Sequence, residues 1–354
     1  MKIINQTFPE FSNAVRQNNC QILCYGAGLV AQSIEDIFQK AGLDKNVHCF
    51  IDGNQKKWGT SMNLFGRELE IKSVDDLRSM DLQNKILLLT LEAFEAVIEN
   101  LNKFKEFENL PCYIFTELNR SYAKDAISKD NFCKTIPKVI HYCWFGSDKM
   151  PQAMEAYIAS WKRHNPDYQI MRWNESNYDV YKNNYTKQAY EAKKYAFVSD
   201  FARMDILYEH GGIYLDTDVE VLKSLDALLY NTAFIAYNEW PMPNSAIIGS
   251  IAGLDIIRRM RDTRSEVNFK NPDGTYNLTI NSVYETAVLV QKGFKKDFTH
   301  QVIDGLAIYP PCFFPQEGRL GLNADIDERT FAVHYALGSW KDNLRKIPQF
   351  STLS

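Results

Sequence analysis

The chain has 354 residues, of which 45% are hydrophobic and 24% are charged, and this length and composition are typical of a globular protein with two domains. Its formal net charge of −4 provides no overall positive field, which argues against a nucleic acid partner. The seven cysteines are odd in number and include no C-x-x-C pair, so they argue against a zinc site or a disulfide framework and favour a reducing compartment.

The first 120 residues have the pattern of a doubly wound α/β domain. The apolar run 20–28 predicts a buried strand that enters a glycine turn, and 29–41 predicts the helix that follows it. Further strands are predicted at 47–51, 85–90 and 111–115. The polar segment 121–135 is the predicted linker to a second domain over 136–354.

The glycine turn of this first domain matches a dinucleotide-binding fingerprint. Gly26, Gly28 and Ala31 have the required spacing, and Asp52 ends the next predicted strand. One interpretation is a nucleotide site, with a phosphate at the helix N-terminus and Asp52 on a ribose hydroxyl. The alternative is a scaffold that uses the glycines only for a tight turn.

The second domain is predicted to open with two strands around a helix. Residues 136–146 read as a strand that ends in an aromatic loop containing Trp144. A helix is predicted over 151–163, because Pro stands at its start and apolar residues recur at helical spacing. The alternating segment 168–173 predicts a second strand, which is followed by Asn174.

The most informative stretch lies in the middle of the second domain. Apolar residues at helical spacing predict a helix over about 188–210, and Gly211-Gly212 is a typical helix end. A short buried strand is predicted at 213–215. Two carboxylates follow this strand, those of Asp216 and Asp218.

Carboxylates at the carboxyl end of a strand lie where α/β sheets bind ligands. Two hard oxygen ligands at this spacing suit Mg²⁺ or Mn²⁺ that also holds substrate phosphates, although an isolated Asp-x-Asp is more often a solvated turn. On the preceding helix, Asp200 and Arg203 are three residues apart and share a face, so on their own they could be a surface ion pair.

Taken together, the pattern S-D-x-x-R, then L-Y, then G-G-I-Y-L-D-x-D over residues 199–218 closely resembles the sugar-nucleotide-binding signature of family 32 glycosyltransferases. The resemblance implies that Asp200 and Arg203 bind the donor sugar and that Asp216 and Asp218 bind the metal and the ribose. These four are the predicted catalytic residues. It also implies a GT-A-type fold for the second domain, while the first resembles the Rossmann-like domain of surface-polysaccharide enzymes.

Other motifs of the same family occur on both sides of this stretch. By resemblance, Trp144 stacks on the nucleotide base, Asn174 contacts the donor, His334 completes the metal site with the two carboxylates, and Trp340 reaches the diphosphate. The alternatives are that Trp144 is a core aromatic residue and that His334 is structural. His141 lies within a predicted strand and is expected to be a hydrogen-bonded core residue.

Three segments give information about the acceptor site and about where the protein is located in the cell. The loop 238–245 combines prolines and a Trp with polar groups and is either an acceptor-facing loop or a rigid surface crossing. The stretch 277–282 departs from the pattern of the family. The basic run 258–264 predicts either a solvated helix face or contact with an anionic membrane. Since neither a signal peptide nor a membrane span is recognised, we expect a cytoplasmic protein, either free or at the inner face of the membrane.

The sequence therefore predicts a metal-dependent, retaining glycosyltransferase. Its partners would be a nucleoside diphosphate sugar, with UDP-sugars favoured, and a glycan or lipid-linked acceptor, and its role would be in capsule or other surface polysaccharide synthesis. The alternative is a regulatory protein that binds a nucleotide or sugar nucleotide at Gly26, Gly28 and Asp52 and carries an inactive transferase domain.

Overall fold

The computed structural model describes residues 1–4, 8–91, 94–118, 134–238, 240–316 and 326–337. Most of the predicted linker lies outside these residues, and so does Trp340, which was predicted to contact the diphosphate of the donor. The α/β class is confirmed, because two seven-stranded sheets are each accompanied by helices. We refer to the part before residue 119 as the N-terminal unit and to the part from residue 134 as the second unit.

The N-terminal unit is built around a largely parallel sheet with the strand order β1-β7-β6-β2-β3-β5-β4, in which only β4 runs antiparallel to its neighbour. Its strands are β1 (Lys2–Ile3), β2 (Gln21–Tyr25), β3 (Val47–Ile51), β4 (Ser61–Leu64), β5 (Arg67–Lys72), β6 (Lys85–Leu89) and β7 (Pro111–Ile114). Its helices are α1 (Phe8–Gln17), α2 (Leu29–Gln32), α3 (Glu35–Ala41), α4 (Val74–Ser79), α5 (Phe94–Leu101) and α6 (Phe115–Leu118).

Both faces of this sheet are buried, as expected for parallel strands covered by helices. Along β2, Ile22 and Cys24 belong to one apolar cluster, whereas Leu23 and Tyr25 belong to another. The connections after β2 and β6 lead to opposite sides of the sheet, so the ends of these two neighbours form a topological switch point. The assignment of this unit as Rossmann-like stays a prediction.

The predicted helix over 29–41 is interrupted in the structure and forms α2 and α3. The hydroxyl of Ser33 donates to the carbonyl of Val30 at 2.7 Å, and the amide of Ile34 donates to Ala31 in a tighter, i to i−3 pattern. A serine that bonds back to the preceding turn competes with the regular helix ladder, which accounts for the break.

The second unit contains a mixed sheet with the order β14-β15-β12-β13-β10-β8-β9 and a two-stranded ribbon of β11 and β16. Its strands are β8 (Val139–Cys143), β9 (Gln169–Trp173), β10 (Gly212–Leu215), β11 (Val219–Val221), β12 (Ala233–Tyr237), β13 (Pro243–Ser250), β14 (Gln301–Ile303), β15 (Leu306–Tyr309) and β16 (Ala332–His334). Its helices are α7 (Gln152–His164), α8 (Asn184–Glu191), α9 (Tyr195–His210), α10 (Asp255–Asp262) and α11 (Asn281–Val290).

Strands β8, β10 and β12 run in the same direction, because β10 is parallel to β8 and both β10 and β12 are antiparallel to β13. Their carboxyl ends therefore lie at one edge of the sheet. Trp144 follows β8, Asp216 follows β10 and Asn238 follows β12 at this edge. The two aspartates are thus placed between the other two segments.

The helix predicted over 188–210 is two helices, α8 and α9. They are separated by Lys193, which has a φ of 57°, and the amide of Lys194 donates to Ala189 across this helix end. This left-handed position usually holds glycine, so a lysine there gave no signal in the sequence.

The end of α9 is correctly predicted and requires glycine for steric reasons. Gly212 has a φ of 98°, and a Cβ atom there would lie 2.8 Å from the carbonyl oxygen of Val139 and 2.9 Å from Nε2 of His141. The glycines allow the chain to leave α9 and enter β10 directly, which fixes the position of the two aspartates that follow.

Contacts of α2 and α3 join the two units. The carbonyl of Gln32, the carboxylate of Asp36 and the ammonium of Lys40 contact Lys296 and Asp297 at 3.5, 3.0 and 2.9 Å. Asp36 and Lys40 are four residues apart on α3, so their side chains lie on one face of that helix. Gln32, at the end of α2, contributes its backbone carbonyl to the same contact.

The basic run forms α10 and the turn after it. Arg258 and Arg259 both pair with Asp255 at 2.6 Å, Arg261 pairs with carboxylates of α9 and α10, and Arg264 is completely buried. The partly exposed side chains of Arg258 and Arg259 fit the solvated alternative, whereas Arg264 belongs to the protein interior. Contact with a membrane stays a prediction. Within the described ranges, no helix is both long and apolar enough to span a membrane.

Candidate active site

A cavity of about 1330 Å³ opens at the edge of the sheet where β8, β10 and β12 end. It is large enough for a nucleotide sugar and part of an acceptor. The structure brings together most of the predicted site residues in its wall: Trp144, Asp200, Arg203, Asp216, Asp218 and His334.

Each oxygen of the Asp216 carboxylate accepts a hydrogen bond, and these bonds fix the orientation of the side chain. Its Oδ1 accepts a hydrogen bond from the hydroxyl of Tyr214 at 3.1 Å, and its Oδ2 accepts from Nη1 of Arg203 at 3.1 Å. Its amide donates to Ala246 on β13 at 2.8 Å. Burial raises the pKa of Asp216 even though Arg203 opposes the shift, so a nearby cation would strongly favour the charged form.

Asp218 accepts hydrogen bonds from backbone amides that lie more than 100 residues later in the chain. Its Oδ2 accepts from the amide of Leu337 at 2.9 Å, and its backbone oxygen accepts from the amide of Tyr335 at 2.9 Å. Its Oδ1 lies 3.4 Å from Nε2 of His334, which stands in register with Val219 in the β11–β16 ribbon. Burial opposes ionisation, yet His334 and the Leu337 amide hold the pKa of Asp218 below its ordinary value.

Asp216, Asp218 and His334 form a plausible metal site. One ligand atom from each lies within 4.8 Å of the others, and all three side chains are partly exposed to the cavity. Two carboxylates and an imidazole suit Mn²⁺, and Mg²⁺ accepts the oxygen ligands. Burial would lower the pKa of His334, but the two aspartates raise it above its usual value. This pKa shift reflects the excess of negative charge that a divalent ion would neutralise.

Arg203 connects the helix to this acidic cluster. Its guanidinium is 3% exposed and donates to Asp200 at 2.8 Å, to Asp216 at 3.1 Å and to the carbonyl of Ser245 at 3.0 Å. It also lies over the ring of Tyr214 at 4.8 Å. The spacing of Asp200 and Arg203 also allowed a surface ion pair. The structure instead places both residues in the cavity wall, where hydrogen bonds fix the guanidinium.

A buried group behind this wall was missed by sequence analysis. The carboxylate of Glu285 is fully buried and accepts a hydrogen bond from the hydroxyl of Ser245, which also accepts from the amide of Asn281 at 2.8 Å. Burial raises the pKa of Glu285 to about 7. The sequence did offer one indication of this buried carboxylate, because Glu285 has the spacing of the Val, Thr and Leu residues on the buried side of α11.

Trp144 lies in the cavity wall and is only partly buried. Its indole Nε1 donates to the carbonyl of Asp148 at 2.9 Å, and the side chain packs against the apolar cluster of Met154, Tyr157 and Leu337. This exposure fits the predicted stacking role better than a core role. The stacking itself stays a prediction.

Asn174 occupies the turn after β9. Its Oδ1 accepts hydrogen bonds from the amide and the hydroxyl of Ser176 at 2.9 and 2.6 Å, so its side chain is used within the turn, next to the cavity rather than in its described wall. Contact with a donor stays a prediction. His141 is confirmed as a core residue, because Nε2 lies 2.9 Å from the carbonyl of Gly211 and burial lowers its pKa to about 4.

The predicted N-terminal nucleotide site is a tight internal network. Oδ2 of Asp52 accepts from the amide of Ala27 and the ammonium of Lys57, both at 2.9 Å. Gly26 has a φ of 108°, and a Cβ there would lie 2.9 Å from the carbonyl of Thr90. A Cβ at Gly28 would meet no atom within 4 Å. The geometry fits the tight-turn alternative, and a ribose on Asp52 stays a prediction.

Comparison with known proteins identifies the segment that carries the cavity. Residues 151–235 match the family described as glycosyltransferase sugar-binding region containing DXD motif. The matched segment includes all four predicted catalytic residues, and this similarity supports the predicted enzyme class.

Three relatives are similar to part of this chain. Inositol phosphoceramide mannosyltransferase 1 of Schizosaccharomyces pombe is 29% identical over 136 residues, which are 35% of this chain and 41% of that protein. Inositol phosphoceramide mannosyltransferase 3 of the same organism is 30% identical over 113 residues, which are 30% of each chain. An uncharacterized glycosyltransferase of Acanthamoeba polyphaga mimivirus is 33% identical over 125 residues, 32% of this chain and 50% of that protein. The chain therefore spans half or less of the length of these relatives.

Two solved structures are similar at a low level. The PaToxG glycosyltransferase has 20% identity and a TM-score of 0.36, and covers 44% of this chain and 69% of its own. The galactosyltransferase LgtC, solved with donor and acceptor sugar analogues, has 12% identity and a TM-score of 0.32, and covers 56% of this chain and 87% of its own. Scores this low carry no argument, and the GT-A assignment stays a prediction.

Proposed function

We propose that the protein transfers a sugar from a nucleoside diphosphate sugar to a hydroxyl of a glycan or lipid-linked acceptor, with retention of the anomeric configuration. The observation that carries the proposal is the joint placement of Asp216, Asp218 and His334 beside Arg203 in one large cavity. A metal-ligand cluster next to a fixed cation suits a substrate with a diphosphate and a hydroxylated sugar.

Each residue has a distinct task in this proposal. Asp218, Asp216 and His334 hold Mn²⁺ or Mg²⁺, which supplies Lewis-acid stabilisation of the departing diphosphate. Asp200 is fixed by Arg203, so its free lone pairs accept hydrogen bonds from donor-sugar hydroxyls in a set orientation. Trp144 supports the base by stacking. The second unit would have a GT-A-type fold and the N-terminal unit a Rossmann-like one.

The donor is expected to be a UDP-sugar, and GDP-mannose is a reasonable second choice because two relatives are named as mannosyltransferases. A role in capsule or other surface polysaccharide synthesis is part of the proposal, although the relatives compared above are a fungal pair and a viral protein. Peripheral contact with the inner face of a membrane, in the cytoplasm, is likewise proposed.

The test is hydrolysis of a panel of nucleotide sugars, with the protein treated with EDTA and then supplied with Mn²⁺ or Mg²⁺. We expect slow release of free sugar from one donor, only in the presence of metal. Binding of a nucleotide without any turnover would instead favour a regulatory protein that uses Gly26, Gly28 and Asp52. The internal hydrogen bonds of Asp52 make that alternative weaker.

A further inference from the structure

The N-terminal unit forms part of the wall of the cavity that contains the aspartates. Leu29 and Phe94 line this cavity together with Asp216 and Asp218. Leu29 is the first residue of α2, which follows β2, and Phe94 is the first residue of α5, which follows β6. The switch point of the N-terminal sheet therefore opens into the transferase cavity of the second unit.

Leu29 lies close to the contact between the two units. It is the first residue of α2, and the backbone carbonyl of Gln32, at the end of the same short helix, accepts a hydrogen bond from the ammonium of Lys296 at 3.5 Å. Asp36 and Lys40 on α3 contact Lys296 and Asp297 with their side chains. The side chain of Asp297 is only 4% exposed, so its ion pair with Lys40 makes the docking specific.

The sheet order places Leu29 on the side of the cavity opposite Trp144. α2 and α3 contact Lys296 and Asp297, and the hydroxyl of Tyr237 at the end of β12 lies 3.2 Å from the carbonyl oxygen of the adjacent Lys295. Trp144 follows β8, which is three strands away from β12 with the aspartates between them. Three strand spacings amount to about 14 Å. If the donor base lies on Trp144, the region near Leu29 is left for the acceptor.

The chemistry of this wall is apolar. Leu29 is 47% exposed and Leu278, on another part of the wall, is 50% exposed, although both face a cavity. Ala27, two residues before Leu29, offers no free backbone group to a polar ligand, because its amide and carbonyl are already bonded to Asp52 and Lys57. Covering these half-exposed aliphatic side chains with an apolar ligand group removes apolar surface from water, which makes the free energy of binding more favourable.

We propose that the N-terminal unit builds the acceptor side of this cavity, where the half-exposed side chain of Leu29 binds an alkyl or other apolar aglycone next to the accepting sugar hydroxyl. The proposal rests on the transferase function given above and specifies its acceptor as a lipid-linked or similarly amphipathic glycoside. Each methylene removed from water should improve acceptor binding about fourfold until the wall is filled.

The test compares methyl and octyl glycosides of the same sugars as acceptors, with the full-length protein, its donor and Mn²⁺. We expect kcat/KM to be at least tenfold higher for the octyl acceptor. Leu29→Asn should lower the octyl-to-methyl ratio several-fold, and this ratio cancels any general loss of activity. Ile3→Asn is the matched control, because Ile3 is 49% exposed on the N-terminal unit and is not in the cavity wall. Its ratio should equal that of the wild type.

Equal use of the two acceptors by the wild type, or an unchanged ratio in Leu29→Asn, would overturn the proposal. A failure of the transferase function is distinguishable, because the wild type would then show no metal-dependent hydrolysis of any donor. In that case, calorimetric titration with octyl glucoside against methyl glucoside still decides the question. Saturable octyl binding that weakens in Leu29→Asn supports the apolar wall, and its absence excludes it.

Discussion

Arg203 and Asp216 meet at 3.1 Å across the junction between α9 and β10. The arginine comes from the buried side of the helix and the aspartate from the end of the strand that the helix leads into, so the two glycines between them determine their distance. The same guanidinium holds Asp200. One cation therefore aligns two carboxylates with different tasks, and the following predictions test that arrangement.

Asp218→Asn should abolish metal-dependent turnover while the protein remains folded. The substitution keeps the size of the side chain and removes the charge that faces the ion, so the rate of donor hydrolysis should fall on the order of 100-fold or more. The measurement is hydrolysis against Mn²⁺ concentration, with Asp304→Asn as a control on an exposed ion pair. A wild-type metal dependence in folded Asp218→Asn would rule out this ligand.

Trp144→Ala should weaken donor binding by about 1–3 kcal/mol, the range found for stacking of a base on an aromatic side chain. Because the base is remote from the bond that breaks, KM should rise more than kcat falls. Trp144→Phe keeps an aromatic face and should recover most of the affinity. If titration calorimetry gives the alanine variant the wild-type donor affinity, Trp144 is a core residue.

Arg203→Lys should reduce both stability and donor binding even though the charge is kept. An ammonium group cannot reproduce the planar fork that reaches Asp200, Asp216 and the Ser245 carbonyl at once. Each lost charge-assisted hydrogen bond at this buried position should cost about 1.5–3 kcal/mol of unfolding free energy. Arg78→Lys, in an exposed pair of the N-terminal unit, should have little effect on denaturant unfolding. Equal stability of the two variants would contradict the assignment.

Glu285→Gln should change how stability depends on pH. The pKa of Glu285 is raised to about 7 in the folded protein, against about 4.3 in an unfolded chain. Between these values the folded protein keeps a proton that the unfolded chain has lost, so the wild type loses stability as the pH rises, by at most about 1.4 kcal/mol per pH unit. The glutamine variant lacks this loss.

The measurement is urea unfolding of both proteins from pH 4.5 to 8. The free energy of unfolding of the wild type relative to Glu285→Gln should fall up to about pH 7 and then level off. Glu209→Gln, at the exposed end of α9, serves as the control. Parallel pH curves for wild type and Glu285→Gln would mean that the buried carboxylate ionises normally.

The local pattern was sufficient to predict the strands β2, β3, β6, β7, β8, β9 and β10, the end of α9 and the carboxylates that follow β10. These features depend on near neighbours in the sequence, such as the glycines that must occupy positive φ at Gly211 and Gly212. The break before α9 was missed because Lys193 occupies a position where glycine is usual.

Features that depend on distant contacts could not be predicted. Lys40 and Asp297 are 257 residues apart in the sequence, and no local pattern reveals that they join the two units. Leu29 lines the cavity because the two units are in contact, so its position there could not be predicted either. The buried state of Glu285 likewise results from Ser245, which lies on a different element.

The carboxylate of Asp218 is held by an amide 119 residues further along the chain. During synthesis, the ribosome therefore releases both aspartates well before the segment that orients the second one. A nascent or cleaved chain that ends before β16 would keep the two carboxylates and lack both the imidazole of His334 and the amides of Tyr335 and Leu337. Capture of the proposed metal ion would therefore be a late event, and a polypeptide interrupted during translation would contain the motif without a working centre.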